Sequence, residues 1–260
     1  MTELDLTIPF QFRVNLYRYR MQNNDQGGLK SYSQFGEDVD IWDYLGRSSD
    51  GVFLEAGANH PINLSQTYFF ETQGWSGVLV EPVPECCDLL RAQRPRSKVF
   101  QNALGAAEQR GPLKISIPNG VTELAQAVAA GEKLGADDRV IETTIVTIDD
   151  VLKEAGVSRL DYLSLDTEGM ELAAMQGLDF AKYHPRFILL EDRIESLDKH
   201  RFLVGKGYKL VNRRGVNNWY VPAEASYPVS LLTSLKLLRK LYLSMPFRWL
   251  RGVGRRLCGR

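Results

Sequence analysis

Two apolar runs, each closed by an acid, constrain this chain more than any other feature. The first is Gly51-Val-Phe-Leu-Glu55, which opens into Ala-Gly57-Ala-Asn59-His60-Pro61. The second is Gly77-Val-Leu-Val-Glu81-Pro82. Between them lies a helical pattern. A strand, a glycine turn, a helix and a second strand with a carboxylate at its tip form a unit that holds an adenosine-containing cofactor, the second acid accepting from the ribose hydroxyls. Gly57 permits a positive φ and a close backbone approach. A single glycine stands where a pyridine-dinucleotide fingerprint has three, so a nicotinamide-dependent oxidoreductase is the weaker reading of the same pattern. Taken alone, the turn is also compatible with an ordinary strand-to-helix connection, and Glu81 with a helix-capping acid.

The 260 residues suffice for one large α/β domain with appendages. The 32 basic residues balance the 32 acidic ones, so bulk charge gives no case for nucleic-acid binding. Cys86, Cys87 and Cys258 offer neither a disulfide framework nor a zinc spacing, and the first residues lack a basic and apolar leader pattern. A cytoplasmic location is expected. Asn63-Leu-Ser65 matches a glycosylation acceptor that has no use there.

Strands are expected at 51–57, 77–81, 97–103, 112–117, 143–148, 160–166 and 186–191. Helices are expected at 34–46, 64–74, 84–93, 149–155, 169–177 and 195–204. This alternation argues for a mostly parallel sheet covered on both faces. Tyr208–Asn212 and Asn218–Val221, separated by Arg213-Arg-Gly215, read as an antiparallel hairpin at the sheet edge. The Ala- and Gly-rich segment 118–140 reads as a cover over the site.

Further acids stand at expected strand exits, where ligands of open α/β sheets lie. Asp166 and Glu168 follow one strand, with Glu171 in the next helical turn, and Glu191 and Asp192 follow another. Such carboxylates serve as a general base, or share a hard cation such as Mg2+ through Asp166, Glu191 and Asp192. His60 beside the turn is a second candidate base, or a residue that bonds its own loop. Gln34 and Glu37 either reach over the cofactor or, for Glu37 with Asp38, favour a helix start.

In order, Ser31-Tyr-Ser-Gln-Phe-Gly-Glu-Asp38, Glu55-Ala-Gly-Ala-Asn-His-Pro61, Ser65-Gln-Thr-Tyr68 with Gly74-Trp75, Thr147-Ile-Asp149, and Asp166-Thr-Glu-Gly-Met-Glu171 with Gln176-Gly177 resemble the FkbM family of S-adenosylmethionine-dependent methyltransferases. The likeness runs from about Tyr32 to Val221. It implies a class I methyltransferase (Rossmann-like) fold: a seven-stranded, mostly parallel sheet with helices on both faces and a C-terminal antiparallel hairpin. It implies methyl transfer from S-adenosyl-L-methionine to oxygen, often a sugar or polyketide hydroxyl, and a hydroxyl of a sugar or glycan is the expected acceptor. Glu55, Gly57 and Asn59 would hold the methionine end, Glu81 the ribose, and Asn102 and Ala103 would lie near the adenine. Gln34, Glu37, Ala58, Ser65, Pro82 and Asp166 are further candidate cofactor contacts. His60-Pro61 stands where many methyltransferases carry a second glycine. The acids Asp166, Glu191 and Asp192 also resemble the cation site of catechol-type methyltransferases.

The expected layout is an N-terminal extension over 1–30, a methyltransferase domain over 31–222, and a basic amphipathic helical tail over 223–260. From Ser230 onward the chain carries eight Lys or Arg and no acid. Leu231, Leu235, Leu238 and Tyr242 recur at helical spacing, and after Pro246 the residues Phe247, Trp249, Leu250, Val253 and Leu257 continue the pattern. This suits peripheral contact at the inner face of a membrane, or packing on the body or on a second subunit of a homodimer. A non-catalytic glycan- or membrane-binding protein on the same fold is the remaining alternative, against which the intact acid set argues.

Overall fold

The computed structural model of the chain describes residues 25–26, 28–128, 134–192 and 196–243. The expected extension before residue 25 and the tail beyond 243 lie outside the described residues.

A short ladder pairs β1 (Asp25–Gln26) with β2 (Leu29–Lys30), where the sequence reads as a plain loop. The main sheet holds β3 (Val52–Ala56), β4 (Ser76–Val80), β5 (Ser97–Phe100), β10 (Tyr162–Leu165), β11 (Phe187–Glu191), β12 (Tyr208–Arg214) and β13 (Asn217–Pro222). Its order is β12-β13-β11-β10-β3-β4-β5, and β13 alone runs antiparallel to both neighbours. This is the class I methyltransferase sheet. The chain leaves β3 toward β4 and β5, then returns to β10 on the other side. The switch point therefore lies between β3 and β10, where an open α/β sheet binds ligands.

The strands expected at 112–117 and 143–148 leave this sheet. They form β7 (Gly111–Ile117) and β9 (Arg139–Val146), which pair antiparallel in a separate small sheet with β6 (Ala103–Leu104) and β8 (Gln126–Ala127). Burial explains the split. Central strands such as β10 are buried at every position, whereas Gly111–Lys114 of β7 and Val140–Val146 of β9 alternate between covered and open positions, as a one-sided antiparallel sheet requires. Part of the expected cover, 118–127, is turns and β8 at the edge of this sheet.

The strand period sorts the core into two layers. Leu54, Leu163, Leu165, Ile188 and Leu190 face one side. There they meet α4 (Ile148–Glu154), α5 (Glu171–Gln176), the unexpected short α6 (Phe180–Tyr183) and α7 (Asp198–Gly205). Phe53, Leu79, Tyr162, Phe187 and Leu189 face the other, under α1 (Glu37–Tyr44) and α2 (Tyr68–Thr72); α3 (Pro84–Gln93) adds Leu90. α8 (Leu231–Leu238) lies against β12.

Candidate active site

Register builds the site. Leu165 pairs with Ala56 on one side and Leu190 on the other, Ala56 pairs with Val80, and Glu191 pairs with Asn217. One step beyond that register, Glu81, Gly57, Asp166, Glu191 and Asn217 therefore form a row across the ends of five strands. Asp166 is reachable by solvent, yet protein crowds its carboxyl. That desolvation, then the Glu191 charge and a carboxyl–carboxylate hydrogen bond with Glu191, raise the Asp166 pKa well above the usual carboxylate range.

The turn after β3 is bonded inward. Gly57 N–H and Ala58 N–H both donate to Val80 O, at 2.9 and 3.3 Å. Gly57 has φ 76°, and a Cβ there would stand 1.8 Å from the Asp166 carbonyl oxygen. The glycine is thus demanded by the neighbouring strand rather than by a ligand. Asn59 N–H (2.9 Å) donates to Glu81 Oε2, and Val83 N–H (2.9 Å) to Oε1. Burial still lifts Glu81 to about 7. Pro82 is half-buried beside it. Asn102 donates to Thr144 O at 3.2 Å, and Ala103 is buried in β6, so both stand between the main and small sheets.

Glu55 and Ser65 face away from the row, correcting the expectation that they contact cofactor. β3 continues to Ala56, so Glu55 lies on the Phe53 face under α2 rather than at the tip. Its carboxylate accepts from Ser65 Oγ (3.1 Å), Gln66 N–H (2.8 Å) and Thr67 Oγ1. Arg94, buried in the same space, approaches Glu55 at 3.9 Å and pairs with Glu71 at 2.6 Å. It also donates to Pro61 O (3.1 Å), Ser65 Oγ (3.2 Å) and Thr67 Oγ1 (2.9 Å). Arg94 is a hub that its own stretch of sequence does not reveal, because its partners are 23 to 39 positions away. His60 as a base is likewise corrected. Its Nδ1 accepts from Ile62 N–H (3.1 Å) and Asn63 N–H (2.9 Å), which leaves the ring proton on Nε2. His60 braces its own loop.

The cation triad does not assemble. Asp166 and Glu191 lie on the α1 side of the sheet, and the two-residue period turns Asp192 to the other. There Lys199 Nζ bridges Asp192 and Glu171, at 3.1 Å to each. Among the described residues no group of three or more His, Cys, Asp or Glu is placed to hold a metal ion. Glu168 is half-buried, with φ 47°, in the loop between Asp166 and Glu171.

Over the row sits the segment before α1. Asp38 ties it down, accepting from Ser31 Oγ (2.5 Å), Tyr32 N–H (2.7 Å) and Ser33 N–H (3.1 Å). Gln34 is half-buried in this segment. Glu37 is buried, and one oxygen accepts from Asn217, the residue paired with Glu191. Its Oε2 has no partner, and burial lifts its pKa to about 7. Because that folded value exceeds the ordinary one, the contribution to stability is present at low pH and is lost as pH rises toward 7. Glu37→Gln is expected to raise the melting temperature at pH 8 and change it little at pH 5; equal shifts at both pH values would contradict an ionised cost.

An acid-lined row with an orphaned buried acceptor above it fits a ligand that offers hydroxyl donors and positive charge, as S-adenosylmethionine does. Two shallow cavities of about 300 and 260 Å³ lie elsewhere, one beside Tyr44 and Arg186 at the amino end of the strands, the other beside Arg110 and Thr147.

No curated protein matches the chain. Solved structures similar to it include a TehB-like SAM-dependent methyltransferase from Corynebacterium glutamicum, 10% identical, covering 82% of this chain and 99% of that one with a TM-score of 0.38. The METTL16 methyltransferase domain is 12% identical, covering 72% of this chain and 65% of that one, also with a TM-score of 0.38. The Methyltransferase FkbM domain matches residues 55–210, more than half of the sequence, and includes Gly57, Glu81, Asp166 and Glu191 of the row. The chain therefore belongs to the FkbM methyltransferase family, on the class I fold of the S-adenosylmethionine-dependent methyltransferases.

Proposed function

We propose that the protein methylates a hydroxyl oxygen of a sugar or glycan, with the Asp166–Glu191 pair as the base. The observation that carries this reading is the placement of the Asp166 and Glu191 carboxyls on adjacent strand tips, with Asp166 beside the glycine turn at the switch point. When bound, S-adenosylmethionine supplies a methyl group on a positively charged sulfur. Glu81 would hold the ribose hydroxyls through the lone pairs that Asn59 and Val83 leave free. Glu37 Oε2 offers an acceptor to a positively charged or hydroxyl donor. Glu55, Ser65 and Arg94 act at one remove, by fixing the loop 61–67 beside the turn.

A sugar hydroxyl is a poor nucleophile until its proton is removed. Asp166, in its ionised form, takes that proton from the acceptor oxygen. A raised pKa makes it a stronger base than an ordinary carboxylate, and such assistance is worth about 10²–10⁴-fold. Holding the acceptor in line with the donor contributes a further ~7–11 kcal/mol in well-oriented systems.

Incubating the protein with methyl-deuterated S-adenosylmethionine and a panel of glycans and nucleotide-sugars, followed by mass spectrometry, tests the reading. Label on a sugar oxygen is expected. Label found only on nitrogen or carbon acceptors would overturn the assignment while leaving the family untouched.

A further inference from the structure

The C-terminal helix carries more apolar surface than the protein body covers. Ser230 caps α8, its Oγ accepting from Thr233 N–H at 3.1 Å. Leu237 is buried, and one turn later Leu241 packs with Leu197 and Leu210. That stripe docks the helix. A second stripe faces solvent: Leu231 is 76% exposed, Leu235 53%, Leu238 51% and Tyr242 49%, at the i, i+4, i+7, i+11 spacing of one helical face. Leu232, at 70%, and Leu243, at 65%, widen it. Lys236 and Arg239 are exposed beside these side chains.

Six large apolar side chains on one exposed face call for a cover. A second copy of this chain would supply apolar area, but it would also bring together two segments that each hold eight Lys or Arg and no acid from Ser230 to Arg260. Like charge opposes that pairing. An anionic surface has the opposite preference. A lipid interface accepts leucines among its acyl chains while its headgroup phosphates meet the flanking cations. Among the described residues no helix is long and apolar enough to cross a membrane, so the contact lies in the plane of the surface.

We propose that the exposed leucine face of α8, with the cations around it, docks the protein on an anionic lipid bilayer. The test is co-sedimentation of the full-length protein with vesicles of phosphatidylcholine alone and with vesicles half phosphatidylglycerol. The Leu232→Ser, Leu235→Ser double variant provides the comparison; both side chains are exposed, so its melting temperature is expected to match the wild type. Binding to the phosphatidylglycerol vesicles is expected, weakened by high salt through screening of the headgroup contacts. The double variant is expected to lose at least roughly tenfold in partitioning, because two leucines no longer enter the interface. Absence of binding, equal binding to both vesicle types, or equal partitioning by the variant would each overturn the proposal. So would leucine-dependent self-association in sedimentation velocity without vesicle binding, which would assign the face to a second copy of the chain.

Discussion

Replacing Asp166 by Asn is expected to lower turnover by about 10²–10⁴-fold while affinity for S-adenosylhomocysteine changes only a few-fold. The substitution keeps the shape and removes the basic oxygen. The pH dependence separates this role from simple binding. Asp166 works as a base only when ionised, so kcat rises with pH through its elevated pKa. Desolvation and then the Glu191 charge produce that elevation. Glu191→Gln removes the charge, lowers the Asp166 pKa and should move the acid limb of the kcat profile to lower pH. A limb that stays in place in Glu191→Gln, or an Asp166→Asn variant that loses cofactor affinity as much as turnover, would assign Asp166 to binding instead.

Arg94→Leu is expected to destabilise the protein by about 3–5 kcal/mol at pH 7, the typical cost of stranding buried partners of a removed charge. The guanidinium is buried with Glu71 and Glu55, and it also supplies donors to Pro61, Ser65 and Thr67. In the variant both acids lose their cation. Burial already raises the Glu55 pKa against the pull of Arg94, so losing Arg94 raises it further. A raised carboxyl contributes stability at low pH that disappears as pH increases. The deficit, measured by urea denaturation, should therefore shrink between pH 7 and pH 5. A loss below about 1 kcal/mol, or one independent of pH, would show that leucine packing replaces the network.

Much of the fold is legible in the chain because period and punctuation are local. The apolar runs ending at Glu55, Glu81, Asp166 and Glu191 are strands, and the hairpin around Arg213-Arg-Gly215 closes the sheet as expected. The strands expected at 112–117 and 143–148 join the small sheet for the opposite reason. Strand identity is local, but the sheet a strand joins depends on partners far along the chain, and only the one-sided burial of β7 and β9 reveals it.

The acids show where the same boundary falls in the site. Local pattern is enough to say which carboxylates stand near strand ends, since a run of apolar residues ends where a charge appears. It could not determine which face each one takes. A difference of one position at the end of β3 buries Glu55 beneath α2, and a difference of one at the end of β11 sends Glu191 toward Asp166 and Asp192 toward Lys199. Register, set by pairing across five strands, decided that Glu81, Gly57, Asp166, Glu191 and Asn217 share one row. Side chains alternate along a strand, so no composition or spacing within one segment carries that information.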